Sequence, residues 1–138
     1  MIGAVARRQA PNAFKQEITA RGHRLIADEP VEFGGSDDGP TPQELLSASL
    51  ASCIAVTLEM YARRKGWELA TVEVEARYAR SGPGEATHFE IVLTLPADLT
   101  DEQRDRLRVI AGKCPVHRIL EGEVTFEERL KLAAPAGS

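Results

Sequence analysis

Cys53 and Cys114 are the residues of this 138-residue chain best suited to chemistry. Two thiols are too few for the disulfide scaffold of a small secreted protein, and a reducing cytosol would not preserve a structural bridge between them. The pair is therefore either inert, since free cysteine often packs as a small hydrophobe, or chemical. A reactive cysteine needs a group that stabilises its thiolate. For Cys53 the candidates are Arg21 and Arg24, either of which brings a guanidinium if the chain folds it over the sulfur, although a surface arginine is more often simply solvated. Cys114 precedes Pro115, which would make it the cap of a short helix whose amide groups favour a thiolate. Cys114-Pro-Val-His117 also has the spacing of two metal ligands. With two cysteines and three histidines in all, a closed zinc site would have to recruit carboxylates or Cys53 from a distant helix. No metal or other cofactor is expected, and His117 reads as a polar neighbour of the Cys114 turn or a satisfied half-buried ring.

The elements that must position these residues are legible in turn and capping signals. Phe14 to Thr19 and His23 to Ala27 flank a turn containing Gly22 and predict a β-hairpin. The Gly/Asp/Pro-rich stretch from Phe33 to Pro40 predicts a loop. Thr41-Pro42-Gln43-Glu44 then combines a capping Thr, a Pro at the first helical position and a Glu three residues after the cap. The helix it opens runs to Lys65 without internal Gly or Pro and ends in three cations before Gly66. Its apolar residues fall on no narrow stripe, so it is expected to be buried nearly all round, more than one small domain can achieve alone. Cys53 lies about twelve residues past the cap, too far for the helix dipole to activate it. Beyond it, Ala70 to Ala79 and Thr87 to Leu95 predict a second antiparallel pair joined through Ser81-Gly-Pro-Gly84. Thr100-Asp-Glu-Gln103 caps a helix reaching about Gly112, Val116 to Leu120 predicts a short helical piece, and Val124 to Leu130 a last strand. Ala133 to Ser138 reads as a disordered tail.

Length and a hydrophobic content of 43% suit one domain spanning residues 1–138. Net charge is −4, with basic and acidic residues interspersed, which leaves no electrostatic footprint for nucleic acid or acidic lipid. Met1 to Gln9 has no apolar run that would make a secretory signal, and no uninterrupted apolar stretch approaches the roughly 20 residues of a membrane span. The expectation is a soluble, cytoplasmic protein with no membrane or nucleic-acid partner.

Gly39 to Cys53, Tyr61-Ala-Arg-Arg-Lys-Gly-Trp67 and Cys114-Pro-Val-His-Arg-Ile-Leu120 together resemble the OsmC/Ohr family of bacterial thiol peroxidases, over about residues 22–130. The joint placement, one cysteine in a Pro-initiated helix and the second after strand, strand and helix, carries the resemblance. It implies an α+β subunit with antiparallel strands around a long buried central helix, in an intertwined homodimer with active sites at the subunit interface. It also implies the chemistry: Cys53 attacks a peroxide, preferably an organic hydroperoxide, and becomes a sulfenic acid. Cys114 condenses with it to a disulfide, and an external dithiol restores both thiols.

The sequence departs from the peroxidase pattern at one point. Those members carry a Glu that pairs with a hairpin Arg orienting the thiolate; here that position is Gln43, with Glu44 beside it. One residue rotates a helical side chain by about 100°, and Glu44 is also what a capping box requires. Gln43 can hydrogen-bond an Arg without a charge term. Arg21 and Arg24 stay open as the hairpin Arg. The alternative reading is a ligand-binding or redox-sensing dimer of the same fold with little peroxidase turnover.

Overall fold

The computed structural model describes residues 1–136; Gly137 and Ser138, the end of the expected tail, lie outside the described residues. Three strands open the chain: β1 (Val5–Arg8), β2 (Gln16–Ala20) and β3 (His23–Ala27), in an antiparallel sheet of order β1-β2-β3. The hairpin of β2 and β3 matches the sequence expectation and pairs Ala20 with His23, leaving Arg21 and Gly22 as its two-residue turn. Arg21 takes the left-handed conformation there, with φ of 55°. β1 carries no alternation that would reveal it, since all four of its residues are exposed. It exists because its backbone pairs with β2, Val5 opposite Thr19 through Arg8 opposite Gln16.

The loop from β3 to the long helix is organised by Asp28. Its carboxylate accepts hydrogen bonds from the backbone N–H groups of Glu29 (2.8 Å), Ser36 (3.2 Å) and Asp38 (3.2 Å). Gly39 is required beside it, because a Cβ there would stand 2.2 Å from the Ile26 carbonyl oxygen.

Helix α1 (Pro42–Lys65) starts as its signal predicts. Thr41 accepts from the Glu44 N–H, the Glu44 side chain accepts from the Thr41 N–H, and Gly66 closes the far end in the left-handed conformation. Strands β4 (Glu73–Tyr78) and β5 (Phe89–Thr94) form a separate antiparallel pair, followed by α2 (Asp101–Ala111) and α3 (Pro115–Glu121). Strict alternation turns Val74, Ala76 and Tyr78 inward opposite Leu93, Ile91 and Phe89, and leaves Glu73, Glu75 and Arg77 outside. This inner face, α2 through Leu107 and Ile110, and Cys114 pack against α1. Antiparallel strands and a long helix make an α+β fold.

As expected of one small domain, the chain alone does not enclose α1, whereas the strand expected at residues 124–130 is corrected. Within one chain α1 is not buried all round. Leu50, Ile54, Leu58, Tyr61 and Ala62 form one buried stripe, while Val56 and Met60 are 52% and 64% exposed, because the chain covers the helix from one side only. Residues 124–130 form no strand and lie exposed; a strand needs a neighbour to complete its hydrogen bonds, and this segment has none among the described residues. By length and composition α1 is also long and apolar enough to cross a membrane, an 18-residue window of it having a mean hydropathy of 1.5, a test that the core helix of a soluble protein passes as well. Within the chain 28% of that window is buried, in the stripe that forms the core.

Candidate active site

Cys53 sits half-buried on α1, and Cys114 is fully buried at the N-cap of α3. Both are free thiols. The fold packs Cys53 against the core cluster that contains Cys114, near enough for Cys53 to influence the ionisation of Cys114. Pro115 and the extended conformation of Cys114 start α3, and the Cys114 sulfur accepts the His117 N–H at 3.2 Å, as an N-cap side chain does. The expectation that this cap would favour a thiolate is reversed in net effect. Burial pushes the Cys114 thiol up from its ordinary 9.0, Cys53 beside it pushes the same way, and the N–H groups of His117 and Val116 compensate only in part. The two sulfurs are thus unequal, one half-accessible and one enclosed and hard to ionise.

N-terminal to Cys53 along the same helix face, Leu46 and Leu50 form one wall of a cavity of about 560 Å³. Tyr78, Phe89 and Ile91 of the β4–β5 pair and Leu120 of α3 supply the rest of its apolar lining. Its polar end carries Thr87, His117 and Glu121. His117 Nδ1 is buried and lies 2.9 Å from Glu121 Oε1, an ion-pair distance at an angle poor for an N–H hydrogen bond. This pair, one helical turn apart, was not singled out in the sequence, although its i,i+4 spacing is a readable signal. Among the described residues no three His, Cys, Asp or Glu side chains cluster as metal ligands.

The other candidate residues are placed as follows. The Glu44 carboxylate accepts the Thr41 N–H at 2.9 Å, and that bond, followed by the Thr41 side chain, holds it below the usual 4.5. It is engaged in the helix cap. Gln43 uses its backbone carbonyl to accept the Tyr78 hydroxyl at 3.2 Å. Arg24 pairs with Glu17 across the β2–β3 hairpin. Arg21 is exposed at the hairpin turn and has no polar partner among the described residues. Within one chain the fold brings neither guanidinium into contact with Cys53.

Comparison with known proteins bears on this arrangement. The family described as OsmC-like protein matches residues 35–129, the segment holding both cysteines. No curated protein matches the chain. Solved structures share the fold. An OsmC-like protein from Mycoplasma pneumoniae has a TM-score of 0.74 at 16% identity, covering 88% of each chain. An organic hydroperoxide resistance protein from Elizabethkingia anophelis has 0.67 at 20% identity, covering 88% of this chain and 89% of its own. An organic hydroperoxide resistance protein OsmC from Legionella pneumophila has 0.64 at 19% identity, covering 88% and 90%.

Proposed function

Because the chain belongs to the OsmC-like protein family, we propose that it is a thiol peroxidase that reduces organic hydroperoxides through Cys53 and Cys114, working as a homodimer in the cytoplasm. The observation that carries this reading is the inequality of two adjacent free thiols. The accessible Cys53 thiolate attacks the terminal peroxide oxygen, the O–O bond breaks, and the alkoxide leaves and takes up a proton as the alcohol. The resulting Cys53 sulfenic acid is attacked by Cys114, releasing water and forming the disulfide. An external dithiol then returns two electrons and two protons. Enclosure of Cys114 suits the resolving role, since it reacts only with a sulfur already beside it. The apolar cavity suits an alkyl or aryl hydroperoxide, each buried methylene contributing about 0.8 kcal/mol.

Activation of Cys53 is assigned to a hairpin arginine of a second copy, Arg21 or Arg24. Arg21 is the better placed of the two, being free at a turn while Arg24 is held by Glu17. The test is consumption of cumene hydroperoxide with a dithiol present. Wild-type protein is expected to turn over and to accumulate an intramolecular disulfide when the dithiol is withheld, and Cys53→Ser to lose at least 99% of turnover, on the order of the loss of an essential nucleophile. Undiminished turnover in Cys53→Ser overturns the assignment.

A second reading is favoured by the engagement of Glu44 in the helix cap and by Gln43 in place of a charged partner. Without that anchor for the arginine, the same dimer would be a redox-sensing or ligand-binding module whose Cys53 reacts slowly. Stopped-flow oxidation of Cys53 at neutral pH separates the two, rapid reaction excluding the second.

A further inference from the structure

The cavity of about 560 Å³ is apolar along its walls and charged at one end. Two helices lead into it from the cysteines. On α1, Leu50 and Leu46 lie one and two turns before Cys53; on α3, His117 and Glu121 lie one and two turns after Cys114, and all four line the cavity. At about 1.5 Å per residue, Leu46 and Glu121 each stand about 10 Å along their helices from the neighbouring thiol. The cavity thus has a near end at the level of the sulfurs and a far end that carries a carboxylate. That carboxylate is tied to the wall by His117, whose Nδ1 lies 2.9 Å from Glu121 Oε1, while the Glu121 side chain stays 64% exposed. Among the described residues no lysine or arginine lines the cavity, and none forms an ion pair with Glu121. Glu121 is also the last residue of α3, where a helix end favours a cation, so the needs of the helix do not account for its charge. A charge at the end of an apolar cavity acts on the contents more strongly than it would across open water.

Resting on the peroxidase reading, we infer that Glu121 determines which hydroperoxides the cavity takes: those whose far end is an ammonium or a hydrogen-bond donor, and not those ending in a carboxylate, free fatty-acid hydroperoxides among them. The peroxide group must lie at the thiol end, because Cys53 attacks its terminal oxygen. The rest of the molecule then extends between apolar walls toward Glu121. An aryl hydroperoxide substituted opposite its peroxide-bearing carbon is long enough to bring that substituent to the far end. An ammonium there meets the Glu121 carboxylate, and a hydroxyl or amide donates to it. A carboxylate there gives up hydration to the apolar walls and meets a like charge with no cation to offset it. The selection works mainly by this penalty, as discrimination between otherwise similar ligands often does.

The test measures kcat/KM of the full-length protein for two cumene hydroperoxides substituted in the para position, one with a carboxylate and one with an aminomethyl group. An uncharged dithiol is kept in excess, and the pH is held at about 8, where imidazole is ordinarily neutral. Wild-type protein is expected to favour the ammonium substrate by about tenfold, with the preference shrinking as salt is raised. Glu121→Gln is expected to bring the two substrates close to equality, and Glu121→Lys to reverse the preference. A cation suits the last turn of a helix, so the second variant serves should the first misfold. Equal kcat/KM for the two substrates in wild type, or a preference that both variants leave in place, overturns the inference and leaves the peroxidase reading intact. So does a preference for the carboxylate that Lys113→Gln/Arg118→Gln abolishes, which would seat the substrate in the groove that these two cations line with Thr57 and Pro115. If wild-type protein does not turn over cumene hydroperoxide itself, the peroxidase reading fails and the inference with it.

Discussion

At the Cys114 sulfur two influences oppose each other. Burial and the neighbouring Cys53 disfavour the thiolate, while the first amides of α3 favour it, and burial prevails. The consequence for resolution is kinetic. The fraction of Cys114 present as thiolate rises with pH toward and beyond the ordinary value of 9.0, so disulfide formation after a peroxide pulse is expected to quicken with pH without reaching a plateau below that value. Rapid-quench sampling between about pH 7 and pH 9 measures this directly. Cys114→Ser is expected to leave Cys53 as a long-lived sulfenic acid that dimedone traps, with loss of dithiol-dependent turnover. A variant that still recycles at the wild-type rate would show that Cys114 takes no part. At the same scale, Glu44 shows how one residue type answers two patterns. Next to the position where a catalytic Glu was expected, it completes a helix cap, and its carboxylate is occupied by Thr41.

Two devices set α1 in place as an element. Its N-terminus is closed by Thr41, and Thr41→Ala is expected to cost about 1 kcal/mol of stability by denaturant unfolding, the usual loss for an N-cap. The loop that delivers the chain to it is tied to Asp28, whose carboxyl burial would raise in pKa. The N–H groups of Glu29, Asp38 and Ser36, with the charge of Lys15, outweigh burial and hold it below 3.8. A carboxylate whose folded pKa lies below its unfolded one contributes stability at pH above the unfolded value and loses it as pH falls through the folded value. Wild-type protein is therefore expected to lose stability on acidification below 3.8 more steeply than Asp28→Asn, and to be the more stable of the two at neutral pH. Parallel stability profiles for the two proteins would show that Asp28 carries no such linkage. The pairing of β4 with β5 belongs here too. Its alternation was readable from sequence, and the structure narrows the strands to the residues with partners, Glu73–Tyr78 and Phe89–Thr94.

The chain as a whole exposes 10973 Å². A compact folded monomer of 15.0 kDa exposes about 7,000 Å². The excess resides in identifiable places: the outer face of α1 with Val56 and Met60, the strands of the N-terminal sheet, and the extended segment carrying Phe126, Leu130 and Leu132, each more than 80% exposed. These are the surfaces a second copy would cover in the proposed homodimer, since apolar area left in water costs about 25 cal/mol per Å². Light scattering on the purified protein is expected to give twice the chain mass, and Val56→Asp/Met60→Glu to shift the distribution toward monomer. A wild-type mass of one chain would remove the dimer and with it the source of an activating arginine.

Local chemistry was decided by the sequence alone. The capping boxes at Thr41 and Thr100, the Arg21–Gly22 turn, the Pro115 helix start and the alternation of β4 and β5 all follow from residues within a few positions of one another, and each formed as its types dictate. The two cysteine segments likewise carried the family resemblance. What depends on distant parts of the chain was decided only by the tertiary structure. It turned Cys114 from a cap favoured as thiolate into a buried thiol beside Cys53, engaged Glu44 at Thr41 and left Arg24 with Glu17. It also left residues 124–130 without a strand partner. Burial, charge pairing and sheet edges are properties of neighbours in space, and a sequence specifies those neighbours only through the fold that brings them together.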